Sequence, residues 1–449
     1  MNLLRAGFGR VNITPKLGIP LAGYFKERLA DGVLDDLEIN ALALSAGESA
    51  VALLSFDLCS VGKEVLDPIR RKASALTGLP YEAIFCHATH THTGPITDPE
   101  NPDPLIQEYL QLLEEMACQA VQLALEDLKP ARMGVAVGKA PDIAFARRFR
   151  MKDGSIRTNP GVNNPDILEP IGDVDERVNV LRFLREGGDS LVLVNFGDHP
   201  DTVGGCKISG DWPGFARRTF EKAMDHTHCI FFNGAQGDVN HVKVWPQPGD
   251  LNDMFMDFDD VSRGYGHARH MGNVVAGAVM QVYDKVAYTD VETIQFCQKT
   301  VQVPSNRPDP KDLPRAKEIH ALHTAGKDAE IPYQGMMLTT VVAEAARMVR
   351  LEHGPESFPM YLTGIAIGNV ALCGFPGEPF TGIGRAVKQA ENWALVLPAC
   401  NTNGKEGYFP MADSYAEGGY EARSSRFKAG VAELLIQEAL ALLAALQKR

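Results

Sequence analysis

The sequence predicts an α/β protein, with mixed β-sheets covered by helices in a single large domain spanning residues 1–449. Three observations carry that prediction. Short apolar runs bounded by turn residues alternate with amphipathic stretches along nearly the whole chain. Composition is that of an ordinary globular protein: 45% hydrophobic, 22% charged and 8% aromatic. No Gly/Ser/Pro linker separates the halves, and the length suffices to bury a sizeable core.

Taken in order, strands are expected at 51–56, 83–87, 133–137, 190–196 and 229–233, and helices at 107–128, 212–224, 264–282 and 426–446. After Ala287 the pattern lengthens to strands at 291–303 and 360–372, with helices near 311–325 and 336–350. This reads as a second sheet. Three polar stretches, 139–170, 242–260 and 401–421, exceed plain connections and read as walls or lids of a site, or as surface insertions. The acidic run 250–260 lacks the Gly and terminal Glu spacing of an EF-hand loop. No internal repeat or low-complexity tract is visible.

A net charge of -13 argues against nucleic acid or an anionic membrane as partner, since both select a positive surface. The basic run Arg147-Arg148-Phe149-Arg150 reads as a solvated face or a local basic pocket. Eight scattered cysteines with no Cys-x-x-Cys pair point to free thiols in a reducing cytoplasm, not to metal ligation. The start of the chain lacks a sustained apolar signal region, and no apolar run approaches a membrane span. The expectation is a cytoplasmic protein without stable membrane association.

Chemistry concentrates in His87-Ala-Thr-His90-Thr-His92-Thr-Gly-Pro95, which holds three of the twelve histidines. On an extended strand, side chains alternate, so His90 and His92 share a face and His87 takes the other. Such a pair holds a metal, aims a proton, or merely hydrogen-bonds at a polar strand end. His199 follows another apolar strand and precedes Pro200, again at a strand terminus. Glu378 stands where a strand runs out into Pro-Gly; locally, capping of the helix begun by Pro379 is favoured over cation binding. Tyr408 and Tyr420 flank Tyr415 in a Gly-rich loop, where a phenol either packs, ligates a metal or donates to an oxyanion. Asp211 and Asp238 read as turn and cap residues.

The motifs occur in one order: Gly7-Phe-Gly-Arg10 with Ile13-Thr14-Pro15, Ala88 to Pro95, Ile208-Ser-Gly-Asp211, Gly237-Asp238-Val239, Pro376 to Glu378, then Tyr408 and Tyr420. In this the chain resembles the catalytic domain of the neutral/alkaline non-lysosomal ceramidases. The resemblance implies Zn²⁺ held by His90, His199, Glu378 and Tyr408, with zinc-bound water attacking an amide carbonyl. It implies that His92 orients or protonates the substrate, that Tyr420 helps hold the carbonyl oxygen, and that Arg147, ahead of Arg148, contacts substrate. His87 is left as structural.

Two departures narrow the expectation. Ceramidases follow Gly-Asp-Val with Ser-Pro-Asn, whereas Asn240-His241-Val242 stands here. The chain also stops where ceramidases continue into a C-terminal β-sandwich. The expected activity is zinc-dependent hydrolysis of a linear amide in a small, soluble N-acyl substrate. The alternatives are an esterase or lactonase using the same metal site, or a non-catalytic metal- or sugar-binding relative.

Overall fold

The apolar run ahead of the histidines forms the strand Ile84–Ala88, which pairs in parallel with Ser49–Phe56 from Ala52↔Ile84 to Phe56↔Ala88. Around this pair, the computed structural model reveals an element order used three times: strand, strand, strand, helix, strand, helix. It describes residues 4–250 and 264–448; positions 251–260 of the expected 242–260 excursion, with nearly all the acidic run, lie outside the described residues.

The first round comprises Arg5–Asn12, Glu38–Ala46, Ser49–Phe56, Lys63–Thr77, Ile84–Ala88 and Pro104–Glu126. The second comprises Lys129–Lys139, Arg177–Arg185, Ser190–Phe196, Asp211–Ala223, Thr227–Asn233 and Tyr265–Tyr283. The third comprises Ile294–Pro304, Ser357–Ile367, Val370–Gly374, Thr381–Lys388, Leu395–Ala399 and Val431–Leu446. Each time the first two pairings are antiparallel, and the third, across the intervening helix, is parallel. First, third and fourth strands therefore run the same way and end at one edge, where parallel sheets place their ligands.

Each round also carries its long insertion at the same point, between the first and second strands: 13–37, 140–176 and 305–356. All three leave from that same carboxyl edge. The second contains a small sheet of Arg148–Met151, Ile156–Thr158 and Ile167–Ile171. The third is a helical hairpin, Leu313–Thr324 and Gly335–Leu351, closed around its own cluster of Ile319, Val341 and Ala345.

Rounds one and two join edge to edge at Arg5↔Pro130 and Ala6↔Lys129, and Ala287–Thr289 completes a nine-stranded sheet. Round three forms a four-stranded sheet stacked on it. Leu42, Leu53, Phe85, Leu193 and Phe232 of the large sheet share one core with Ile365, Leu372 and Leu397 of the small one. Helices cover only the outer faces. The expected α/β class is thus realised as four layers, helices–sheet–sheet–helices, in which one face of each sheet buries the other sheet.

The expected strand at 360–372 is two strands, Ser357–Ile367 and Val370–Gly374, paired from Thr363↔Gly374 to Ile367↔Val370. Gly368 makes the tight reversal at φ 57°, a left-handed conformation natural to glycine. Both strands are apolar, so hydropathy alone reads straight through the turn. Among the described residues, no helix is long and apolar enough to cross a membrane.

Candidate metal centre

Strand ends of all three rounds supply the site. His90 follows the fourth strand of the first round, His199 the third strand of the second, and Glu378 the third strand of the third. Tyr408 arrives beyond the last strand of that round, in a two-residue parallel ladder that pairs Glu378 directly with Tyr408.

His90 and His92 meet as expected, but not by strand alternation. The strand stops at Ala88, and His90 adopts φ 81°, a left-handed conformation rare outside glycine and typical of functional sites. Its Nδ1 lies 2.7 Å from the Cys59 carbonyl, and that of His199 lies 2.8 Å from the Gln236 carbonyl. A carbonyl only accepts, so each Nδ1 carries the proton and each Nε2 keeps its lone pair for the centre. His87 is structural, as expected: Nδ1 donates to the Cys400 carbonyl, and Nε2 accepts from the Asn233 amide.

The converging donors are evenly spaced. His90 Nε2 is 3.3 Å from His199 Nε2 and 3.2 Å from Glu378 Oε2. His199 Nε2 is 3.3 Å from Glu378 Oε2 and 3.4 Å from the Tyr408 hydroxyl. Tetrahedral donors about 2.0–2.1 Å from an ion stand about 3.3–3.4 Å apart, which is the spacing within His90, His199 and Glu378 and from His199 to Tyr408. Cys59, not expected near a metal, brings Sγ to 3.8 Å from His90, but on the Nδ1 side.

Electrostatics also ask for a cation. Burial disfavours charge on His90, yet Glu378 and Cys59 hold its pKa well above the ordinary imidazole value. Burial likewise opposes charge on Glu378, and His90 and His199 hold it well below the carboxylate range. The two directions describe one ion pair: a buried carboxylate balanced by a proton where a metal ion would also stand. His199 is pushed down by burial and then by Arg147, and His92 well down by burial and then by His90.

His92 Nε2 lies 3.3 Å from His90 Nε2, and Tyr420 packs edge-on to Tyr408 with ring centroids 5.6 Å apart. Above them opens a cavity of about 870 Å³. Its walls come from all three insertions: Gly23 to Lys26 from the first, Arg147 and Asn159 from the second, and His323, Met336 and Val342 from the third.

One local reading changes. Glu378 is not a cap: Asp238 caps the helix Thr381–Lys388, taking the Thr381 amide at 2.7 Å and its hydroxyl at 3.0 Å. This agrees with the cap role expected of Asp238, and Asp211 holds the Val203 and Trp212 amides as a turn residue. Arg147 lines the cavity, but its charge is already met: Nε donates to Glu421 at 2.7 Å and a terminal nitrogen donates to the Gly237 carbonyl at 2.8 Å. Its guanidinium carbon stands 5.3 Å from the Tyr408 ring centre, so it backs a site donor. Arg148 binds Ser414 and Glu417. Asn240 is buried and ties two walls together, donating to Asn159 Oδ1 at 3.0 Å.

Asp201, expected with Asp198 as a candidate partner for a nearby histidine, stands 3.2 Å from His241 Nδ1, whereas His199 Nδ1 turns to a main-chain carbonyl. Sequence reasoning passed over Gln236 and Asn401. Gln236 acts on His199 through its main-chain carbonyl, which leaves no side-chain signature. Asn401 places Nδ2 3.1 Å from His90 Nδ1 from a strand end 311 residues away, so spacing gives no cue.

The chain has the fold of the bacterial neutral ceramidases. It superposes on the neutral ceramidase of Pseudomonas aeruginosa with a TM-score of 0.75 and 17% identity, covering 100% of this chain and 75% of that one. A structure described as a ceramidase complexed with C2 gives 0.74 and 17%, covering 100% and 76%. No protein-family model and no curated protein sequence matches the chain.

Proposed function

We propose that the chain, acting as one catalytic domain over residues 1–449, is a zinc-dependent hydrolase that cleaves the amide bond of a small N-acyl compound. One observation carries this reading: His90, His199 and Glu378 bring donors within 3.2–3.3 Å of one another, with the Tyr408 hydroxyl 3.4 Å from His199, beside a large cavity lined by His199 and Tyr408. The ceramidase fold lends support, since ceramide is itself an N-acyl amide.

His90, His199, Glu378 and Tyr408 would hold the ion; two imidazoles, a carboxylate and a phenol form a nitrogen- and oxygen-rich set suited to zinc. When bound, zinc supplies Lewis acidity and a nucleophilic water at neutral pH. Burial keeps the Tyr420 phenol protonated, so it donates a hydrogen bond where the carbonyl oxygen gains charge. His92, kept neutral, would take at Nε2 the proton released by the attacking water and return it to the leaving nitrogen. Arg147 keeps Tyr408 in place through Glu421 and the Gly237 carbonyl.

The reading includes a small-molecule partner and no nucleic acid or stable membrane contact, in keeping with a charge of -13. It places the enzyme in the cytoplasm, in keeping with eight unpaired cysteines.

Zinc analysis of the wild type and of His90→Ala, with turnover of matched N-acyl amides and O-acyl esters, tests the reading. Zinc present only in the wild type, with chelator-sensitive amide cleavage, is expected. Equal zinc in both proteins overturns the site, and turnover confined to esters overturns the amidase assignment.

A further inference from the structure

Beside the metal centre, one wall of the cavity carries a second polar group that the proposed chemistry does not use. His241 is buried, and its Nδ1 lies 3.2 Å from Asp201 Oδ1. The pair stands next to His92, whose main-chain amide donates to the Pro200 carbonyl at 3.1 Å. Both Asp201 and His241 line the cavity, and the His241 ring also faces that of His267, with centroids 5.8 Å apart. Asn159 lines the same cavity; its Oδ1 is taken by Asn240, which leaves its amide nitrogen for a ligand. Opposite in character are Tyr24 and Phe25, both exposed at the cavity and set edge-on to His92 and Tyr420 respectively.

The chemistry of this wall selects its ligand. An Asp–His pair and a carboxamide together offer donors and acceptors at little net charge. A carboxylate, which only accepts, would meet the charge of Asp201. Hydroxyls donate and accept, and satisfy both groups. Aromatic rings nearby suit the C–H face of a ring, not a long flexible chain. We infer that Asp201, His241 and Asn159 form a hydroxyl-recognition subsite, and that the substrate is an N-acyl amino sugar. The inference rests on the amide-hydrolase reading above.

The test uses the zinc-loaded full chain with three amides sharing one acyl group: N-hexanoylglucosamine, N-hexanoylglycine and N-hexanoylethanolamine. The sugar amide is expected to lead in kcat/KM by at least about 100-fold over the glycine amide, which has no hydroxyl, and by less over the ethanolamine amide, which has one. His241→Ala, checked for unchanged zinc content, is expected to raise KM for the sugar about tenfold, a hydrogen bond's worth, and to penalise it more than the glycine amide. His241→Gln recovers part of the loss. Equal or better cleavage of the glycine or ethanolamine amide overturns the inference and leaves the hydrolase reading standing. So does an equal loss on all three amides in His241→Ala. If none is cleaved, the hydrolase reading falls, and calorimetric titration with glucosamine decides: binding that His241→Ala abolishes supports the subsite, and no binding overturns it.

Discussion

Glu378 and Tyr408 are direct partners in a parallel ladder only two residues long, and the Glu378 amide donates to the Gly407 carbonyl at 2.8 Å. Two donors thirty residues apart in the chain are thereby locked together by main-chain bonds. Their side chains can change without dissolving the ladder, so the contribution of each donor is separable from folding.

Glu378→Gln keeps shape and ladder but removes the charge that balances the two imidazoles. Metal content after dialysis should fall below about one tenth of wild type, because loss of a ligand exceeds the 10–100-fold cost in affinity of losing an outer partner. Circular dichroism should be unchanged. Tyr408→Phe should lose less metal, since it removes a neutral donor. Undiminished metal in Glu378→Gln removes Glu378 from the ligand set.

Gly23→Ala should damage catalysis without touching the metal. Gly23 has φ 96°, and a Cβ there would stand 2.6 Å from Cγ of the His92 ring. Either His92 moves or the loop does. Activity should drop by about 10–100-fold, the usual penalty for a displaced catalytic group, with wild-type zinc content. The backbone strain should cost about 1–3 kcal/mol in thermal unfolding. Full activity in this variant would show that the first insertion does not position His92.

Much of this was legible in the sequence, and the rest failed for identifiable reasons. Apolar runs such as Ser190–Phe196 fall where hydropathy puts them, because central strands are buried on both faces. Strands such as Arg5–Asn12 and Arg177–Arg185 carry exposed residues at their ends and inside a polar frame, and hydropathy passed over them. The threefold order stayed hidden because pairing geometry repeats while residues do not. Equivalent strand ends read Asp57-Leu58-Cys59 in one round and Gly197-Asp198-His199 in another. His90 was found through its neighbours' spacing, yet its left-handed backbone is a tertiary result. Asp201 was legible as a partner for some histidine, but that the histidine is His241, forty residues on, follows only from the fold.

His87 should make the protein acid-labile. Burial pushes its pKa down to about 3, against an ordinary 6.5, and protonation at Nε2 would also cost the Asn233 amide its acceptor. The stabilising contribution is complete above pH 6.5. As pH falls, the unfolded chain takes up a proton that the folded one refuses, so stability declines down to about pH 3. The full effect is on the order of 4–5 kcal/mol. His87→Asn should lower stability at pH 7.5 by about 1–3 kcal/mol through poorer satisfaction of Asn233. Its unfolding free energy should then vary less between pH 6.5 and 4 than that of the wild type. An identical pH slope in the two proteins excludes His87 as the source.

Arg147 and Glu421 form a buried ion pair, 2.7 Å apart, and Thr158 donates to the other Glu421 oxygen at 2.8 Å. If Arg147 serves mainly to hold this corner of the site, the two charges are coupled and the cost of losing one depends on the other. Arg147→Met leaves Glu421 buried and unbalanced, which should cost about 3–5 kcal/mol in urea unfolding. Adding Glu421→Gln removes the stranded charge and should restore more than half of that loss, a coupling far outside additivity. The double variant should bind zinc more weakly than wild type, because Tyr408 loses its backing, while KM changes little. Had Arg147 instead gripped an anionic substrate group, the double variant would keep its zinc and show a steeply raised KM. Additive destabilisation by the two substitutions would exclude the pair as the holding element.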